Sequence, residues 1–220
     1  MAESGSLKAV LWDLDGTILD SREEHFSANQ QAFKEFGIAA PKWNTKEYFG
    51  KTAAEIIGKL AGDLLTEEEL KNLIRRRDEI YRSIISKNAV FLPGVERWLK
   101  QFQDLGLIQA IASSTAYQNI ETILKALNGA NFFNKIFSGA MILSKPDPAI
   151  FNLASAELAV KPACCLVIED SPFGVSAARS AGMHCLAVTN TNNAEDLSGA
   201  DIILSSLAEL KMQDIHNLFK

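Results

Sequence analysis

No Cys-x-x-Cys pair and no paired-histidine spacing occurs among the three cysteines and three histidines of this chain, which removes the usual zinc frameworks. Cys164, Cys165 and Cys185 lie in or beside apolar runs and read as reduced core residues, which suits a cytoplasmic compartment. No stretch approaches the ~18 apolar residues of a membrane span. Residues 1–6 show no basic region followed by an apolar one, so no secretory signal is expected. Positive charge is not in excess. The 22 Lys and Arg against 27 Asp and Glu leave a net charge of −5, which disfavours nonspecific contact with nucleic acid or an anionic membrane. Internal repeats and low-complexity tracts are missing too, and nothing suggests an obligate interface, so a monomer is the default.

What the chain does have is enough length, 220 residues with 47% hydrophobic, to bury a sizeable core in one domain carrying an insert. Residues 7–12 form an apolar run expected to be a strand buried on both faces. Residues 21–88 then read as helical and unusually polar, with apolar spacing of three and four over 22–36, 52–61 and 66–86. Thr66 followed by Glu67, Glu68 and Glu69 marks a helix start with a capping box. After Pro93-Gly94 the pattern changes. Strands are expected at 107–112, 135–137, 164–168, 184–188 and 201–204, separated by helices near 94–104, 117–127, 147–159 and 172–181. This alternation predicts an α/β, doubly wound parallel sheet of Rossmann-like type. Residues 1–19 and 91–220 would form that core, with residues 20–90 inserted as an α-helical cap domain.

In such sheets ligands bind beyond the carboxyl ends of the strands, so the residues ending each strand carry the functional signal. The first strand ends in Asp13-Leu14-Asp15-Gly16-Thr17. On an extended chain, positions i and i+2 point the same way, so the two carboxylates crowd each other unless a cation, a shared proton or a turn relieves them. Gly16 supplies a turn, and a divalent metal is the favoured cation. A solvated acidic turn is the ordinary alternative. The second strand leads into Ser113-Ser114-Thr115, a later segment carries Ser144-Lys145-Pro146-Asp147-Pro148, and the strand at 164–168 ends in Glu169-Asp170-Ser171-Pro172.

This ordered set resembles the haloacid dehalogenase superfamily, its phosphatases and β-phosphoglucomutase-like group in particular. The resemblance spans nearly the whole chain and is most specific in Asp13-x-Asp15-Gly16-Thr17 and in Glu169-Asp170-Ser171 with Gly174, Ala177-Ala178 and Ala181-Gly182. It implies a phosphatase that hydrolyses a small phosphorylated metabolite, such as a sugar phosphate, through an aspartyl phosphate. A phosphomutase sharing the same residues is the alternative, and a catalytically retired binding module a third reading. Dehalogenation is disfavoured by Asp15, since halide displacement needs no proton for the leaving group. By resemblance, Asp13 is the nucleophile and Asp15 the general acid and base. Thr17 would orient Asp15 or be a plain turn hydroxyl. Ser113 would bind a phosphoryl oxygen or cap the following helix, with Ser114 or Thr115 sharing that work. Lys145 would neutralise the attacking carboxylate and the phosphate together.

The implied cofactor is Mg2+, held by Asp13, by the main-chain carbonyl of Asp15, and by Asp170, with Glu169 acting directly or through water. Formal charge points the same way. Asp13, Glu169 and Asp170 bring three negative charges against one from Lys145, so a phosphate dianion needs a further cation to enter. Within the insert, the resemblance makes His25 a candidate for cap closure and proton handling, against the plainer reading of a packed or exposed helical histidine. It likewise makes Lys51 in Gly50-Lys51-Thr52 the first candidate for substrate specificity. Arg75-Arg76-Arg77 reads as a solvated helix face, from which Arg77 is the candidate to reach the cleft and meet a second phosphate. Glu23 and Glu24 read as first-turn helix acids only.

Overall fold

Period-two alternation along the strands sorts their side chains onto two buried faces. The computed structural model describes residues 6–39 and 51–220. Among these, β1 (Ala9–Trp12), β2 (Ile108–Ser113), β3 (Lys135–Ser138), β4 (Cys165–Glu169), β5 (His184–Val188) and β6 (Ile202–Leu204) form one parallel sheet in the order β3-β2-β1-β4-β5-β6. Val10, Trp12, Ile111, Leu166, Ile168, Leu186 and Val188 face one core, while Ala9, Leu11, Ala110, Ala112, Cys165, Val167, Cys185 and Ala187 face the other. The second face is built largely from small residues, which lets its covering helices approach closely. Burial is complete on both faces of β1 and β4, and nearly so on β2 and β5, which is why these strands read as near-continuous apolar runs. Trp12 keeps its polar edge satisfied by donating to Gln109 Oε1 at 3.1 Å.

Eight α-helices are described. The first three are α1 (Arg22–Glu35), α2 (Ala53–Ala61) and α3 (Glu67–Asn88), all between β1 and β2. They are followed by α4 (Val95–Asp104), α5 (Tyr117–Ala126), α6 (Ala149–Glu157), α7 (Pro172–Ser180) and α8 (Met212–Leu218). Residues of α4 and α5 pack with the first core, and those of α6 and α7 with the second, so the sheet is wound on both sides. Thr66 accepts from Glu69 N at 3.3 Å while Glu69 accepts from Thr66 N at 2.8 Å, the expected capping box. Thr52 and Glu55 repeat it at the start of α2. Gly94 adopts φ +87°, and a Cβ there would collide with the backbone of Leu207 and Ala208, so only glycine suits that position.

Helices α1 and α3 pack together through Ala28, Ala32, Phe33, Leu73, Ile80 and Tyr81. Arg82 on α3 donates to Asn119 Oδ1 on α5 at 2.9 Å, and Asn119 donates to Asp78 Oδ1 at 3.1 Å, tying the inserted helices to the sheet layer. Part of the expected helical stretch 21–88, including Gly50, lies outside the described residues. Cys165 and Cys185 are core residues as expected, whereas Cys164 is partly exposed. Burial, with Cys164 beside it, pushes the Cys165 thiol up to about 12. Among the described residues no helix is long and apolar enough to cross a membrane.

Candidate active site

The carboxyl ends of β1, β2 and β4 meet at the switch point of the strand order, where an open α/β sheet leaves a crevice. The amide of Asp13 continues the ladder by donating to Ile168 O at 2.9 Å. Gly16 then reverses the chain at φ +87°, with its own amide on Leu19 O at 2.8 Å. The two aspartates line the same cavity but have different partners. Asp13 faces Lys145, and Asp15 faces the inserted helices.

Lys145, from the loop between β3 and α6, is 2% exposed. Its ammonium donates to Asp13 Oδ1 at 2.6 Å, to Glu169 Oε1 at 2.6 Å and to Ala112 O at 3.2 Å. Burial would lower its pKa, but the two carboxylates outweigh that and hold it above its ordinary value. Glu169, wholly buried, also accepts from the amides of Asp170 and Ser171 and from the Ser171 hydroxyl, at 2.9, 3.0 and 3.0 Å. It therefore locks both the lysine and the turn after β4. Gly174 is required there, because a Cβ would overlap the Glu169 carboxylate.

Asp13, Glu169 and Asp170 each offer an oxygen within 4.8 Å of the others. Three buried carboxyls against one ammonium leave excess negative charge. Burial pushes Asp13 up to about 7, with Lys145 pulling down and Glu169 adding to the rise. Burial, then Glu169 and Asp13, push Asp170 well above the carboxylate range. This all-oxygen, charge-deficient pocket fits a hard divalent cation such as Mg2+.

Asp15 has different surroundings. Its Oδ1 accepts from Ser21 Oγ at 2.5 Å and lies 3.2 Å from His25 Nε2 and 3.4 Å from Tyr81 Oη, and its Oδ2 accepts from the Thr115 hydroxyl. Burial raises the Asp15 carboxyl, but His25 and the hydroxyls of Ser21 and Thr115 outweigh it and hold it well below the usual range. His25 stacks on Tyr81 at 4.2 Å and 6° between planes, and its Nδ1 is bonded to the Arg77 guanidinium.

Two expectations require correction. Thr17 does not orient Asp15. The Gly16 reversal turns it inward, where it is fully buried and donates to Asp170 Oδ1 at 3.2 Å. Nor is Arg77 part of a solvated face, as it is 4% exposed and bonded to Asn29 Oδ1 at 3.1 Å and to Asp78 at 2.7 Å. Arg75 and Arg76 do follow the surface pattern, paired with Glu79 and Glu35. Glu24 accepts from Asn88 Nδ2 at 3.3 Å in addition to its first-turn position.

A cavity of about 280 Å³ lies between the carboxyl ends of the central strands and helices α1, α2 and α3. Asp13, Asp15, His25, Lys51, Arg77, Ser113, Ser114, Thr115 and Asp170 line it, while Lys145, Glu169 and Thr17 sit behind that wall. Ser113 does not cap α5, whose N-cap is Ala116. Its hydroxyl instead accepts from Thr115 N at 3.2 Å. Ser21 and Tyr81, which carry no motif signal, complete the Asp15 cluster. Thr191 and Asn192, bonded to Asp170, follow β5 and were open to the same strand-end criterion that singles out Ser113.

A family model described as haloacid dehalogenase-like hydrolase matches residues 10–188. The chain is 32% identical over 218 residues to beta-phosphoglucomutase of Bacillus subtilis, covering 96% of this chain and 94% of that one. It is 27% identical over 214 residues to validoxylamine A 7'-phosphate phosphatase of Streptomyces hygroscopicus subsp. limoneus, covering 94% and 98%. Among solved structures, CbbY from Rhodobacter sphaeroides with xylulose-(1,5)bisphosphate matches with a TM-score of 0.85 at 26% identity, covering 95% of this chain and 99% of that one.

Proposed function

The chain belongs to the haloacid dehalogenase-like hydrolases, enzymes of phosphoric monoester chemistry among its relatives, and from that premise we propose that it is a magnesium-dependent phosphatase acting on a small phosphorylated metabolite through an aspartyl phosphate at Asp13. The observation that carries this reading is a buried carboxylate, Asp13, held by Lys145 on one side and opening on the other into a cavity shared with Asp15. Residues 20–90 are read as its cap, a lid that excludes water and selects substrate.

In this reading an Asp13 oxygen attacks phosphorus as the bond to the ester oxygen breaks. Asp15 gives that oxygen its proton. Water then attacks the aspartyl phosphate and loses a proton to Asp15, and the P–O bond to Asp13 breaks, restoring both carboxyls. Asp15 is held ionised before substrate arrives; the entering phosphate dianion raises its carboxyl, and Asp15 takes up a proton from solvent before the transfer. Ser113 and neighbouring amides bind phosphoryl oxygens, while Lys145 balances Asp13. Mg2+, held by Asp13, Asp170 and the Asp15 carbonyl with Glu169 beside them, would neutralise the phosphate charge.

The guanidinium of Arg77 is committed to Asn29, Asp78 and His25, so Lys51 is the insert's better candidate for a polar group far from phosphorus. The relatives named as phosphoglucomutase keep the second reading alive, and a hexose 1-phosphate distinguishes them: inorganic phosphate supports the phosphatase, the 6-phosphate isomer the mutase. The basic test is p-nitrophenyl phosphate turnover with magnesium. The parent should turn over, and Asp13→Asn, or the parent in excess chelator, should not. Equal rates in parent and Asp13→Asn would point to a binding module.

A further inference from the structure

The segment after β5 is stitched to both halves of the acidic centre. Thr191 donates its hydroxyl to Asp170 Oδ2, and the same oxygen lies 3.3 Å from Asp170 O. Asn192, 7% exposed, donates to Asp170 O at 3.1 Å and to Thr191 Oγ1 at 3.0 Å. Asn190 donates to Gly16 O at 2.8 Å. With Thr17 on Oδ1, each oxygen of the Asp170 carboxylate receives one hydroxyl. The packing leaves no slack, for a Cβ on Gly16 would collide with the Asp170 carboxylate and the Thr191 methyl. Lys145 spends its ammonium on Asp13 and Glu169, so the Thr17 and Thr191 hydroxyls set the direction in which the Asp170 carboxylate points, while Asn192 holds its main-chain carbonyl.

We propose that Thr191, supported by Asn190 and Asn192, is a positioning residue for the cation: it fixes the Asp170 carboxylate and the Gly16 turn relative to each other, and so sets magnesium affinity and the preference for magnesium over calcium. The proposal rests on the magnesium reading above. Partners of ligating carboxylates fix ligand orientation, and removing one typically costs ~10- to 100-fold in metal affinity. Magnesium demands near-ideal octahedral geometry at short distances, whereas calcium accepts longer, irregular shells. A carboxylate freed to swing therefore harms magnesium binding more than calcium binding. A hydroxyl serving only general stability would leave that ratio unchanged.

The test is calorimetric titration of the metal-free protein with MgCl2 and with CaCl2, for the parent, Thr191→Val and Thr191→Ser. Thr191→Val should bind magnesium about 10- to 100-fold more weakly, with a smaller loss for calcium, and Thr191→Ser should restore the parent's behaviour. Magnesium binding by Thr191→Val equal to the parent, or equal losses for both ions, would overturn the proposal. Should Thr191→Val fail to fold by circular dichroism, Asn192→Ala, which removes the bonds to Asp170 O and Thr191 Oγ1, carries the same expectation. A parent that takes up no magnesium sinks the metal reading itself, an outcome distinct from a parent that binds and a valine variant that binds as well.

Discussion

Replacing Lys145 by methionine keeps most of the side chain's length and removes its charge from between two buried carboxylates. The ammonium lies 2.6 Å from an oxygen of each, so each pair is worth about 6 kcal/mol of attraction at an effective dielectric near 20. Desolvation offsets much of this, and deleting one partner of a buried pair typically costs ~3–5 kcal/mol because a charge is left uncompensated. Against a total stability of ~5–15 kcal/mol that is a large fraction. Asp13, already raised by burial, answers by taking up a proton, so the deficit should shrink at pH 5 and grow at pH 8. Urea unfolding of metal-free protein, followed by circular dichroism, measures it. Lys125→Met, on the exposed side of α5, is the control and should move stability by less than ~0.5 kcal/mol. A Lys145→Met protein as stable as the parent at pH 8 would refute the reasoning.

Asp15→Asn should lower turnover by ~10²–10⁴, and by more for an alkyl phosphate than for p-nitrophenyl phosphate, whose leaving oxygen needs little protonation; equal losses would contradict the acid role. Asp13, raised from 3.8 to about 7 by burial, holds a proton in the folded state that the unfolded chain releases across that range. Its contribution to stability is therefore complete below 3.8 and lost as pH rises to 7, up to ~4 kcal/mol in all, and Asp170 acts in the same sense. The urea midpoint of magnesium-free protein should fall from pH 5 to pH 8, and saturating magnesium should flatten the trend. A midpoint that rises would contradict it. Gly174→Ala drives a methyl into the Glu169 carboxylate and should cost ~1–3 kcal/mol by overpacking; an unchanged urea midpoint would show that the turn gives way freely.

The sheet was legible because its strands are short apolar runs ended by polar loops, and the winding follows from the helices between them. Boundaries moved by a residue or two. β2 extends through Ser113 and β4 through Glu169, since both residues still pair in the ladder. Asp13, Glu169 and Asp170 were marked by position on the strand ends and Lys145 by the resemblance; the structure brings the four side chains together. Asp13 and Asp15 do open on one cavity, as the period-two pattern has it, but the Gly16 reversal after Asp15 turns Thr17 inward to Asp170, which the pattern does not carry. Arg77 was singled out of its charged run as the arginine able to reach the cleft, which it lines, but its partners were not legible: it bonds Asn29 across the α1 and α3 packing and Asp78 beside it on α3, pairings that helical spacing alone does not reveal. Thr191 carried no motif, though its place after β5 was a usable signal.

The most direct measurement is a crystal structure of the protein with magnesium and a beryllofluoride mimic of the phosphoryl group. The expected result is the mimic bonded to a carboxylate oxygen of Asp13, with Lys145 on the other oxygen and the metal between Asp13 and Asp170. A mimic attached to another side chain, or a metal remote from Asp13, would contradict it.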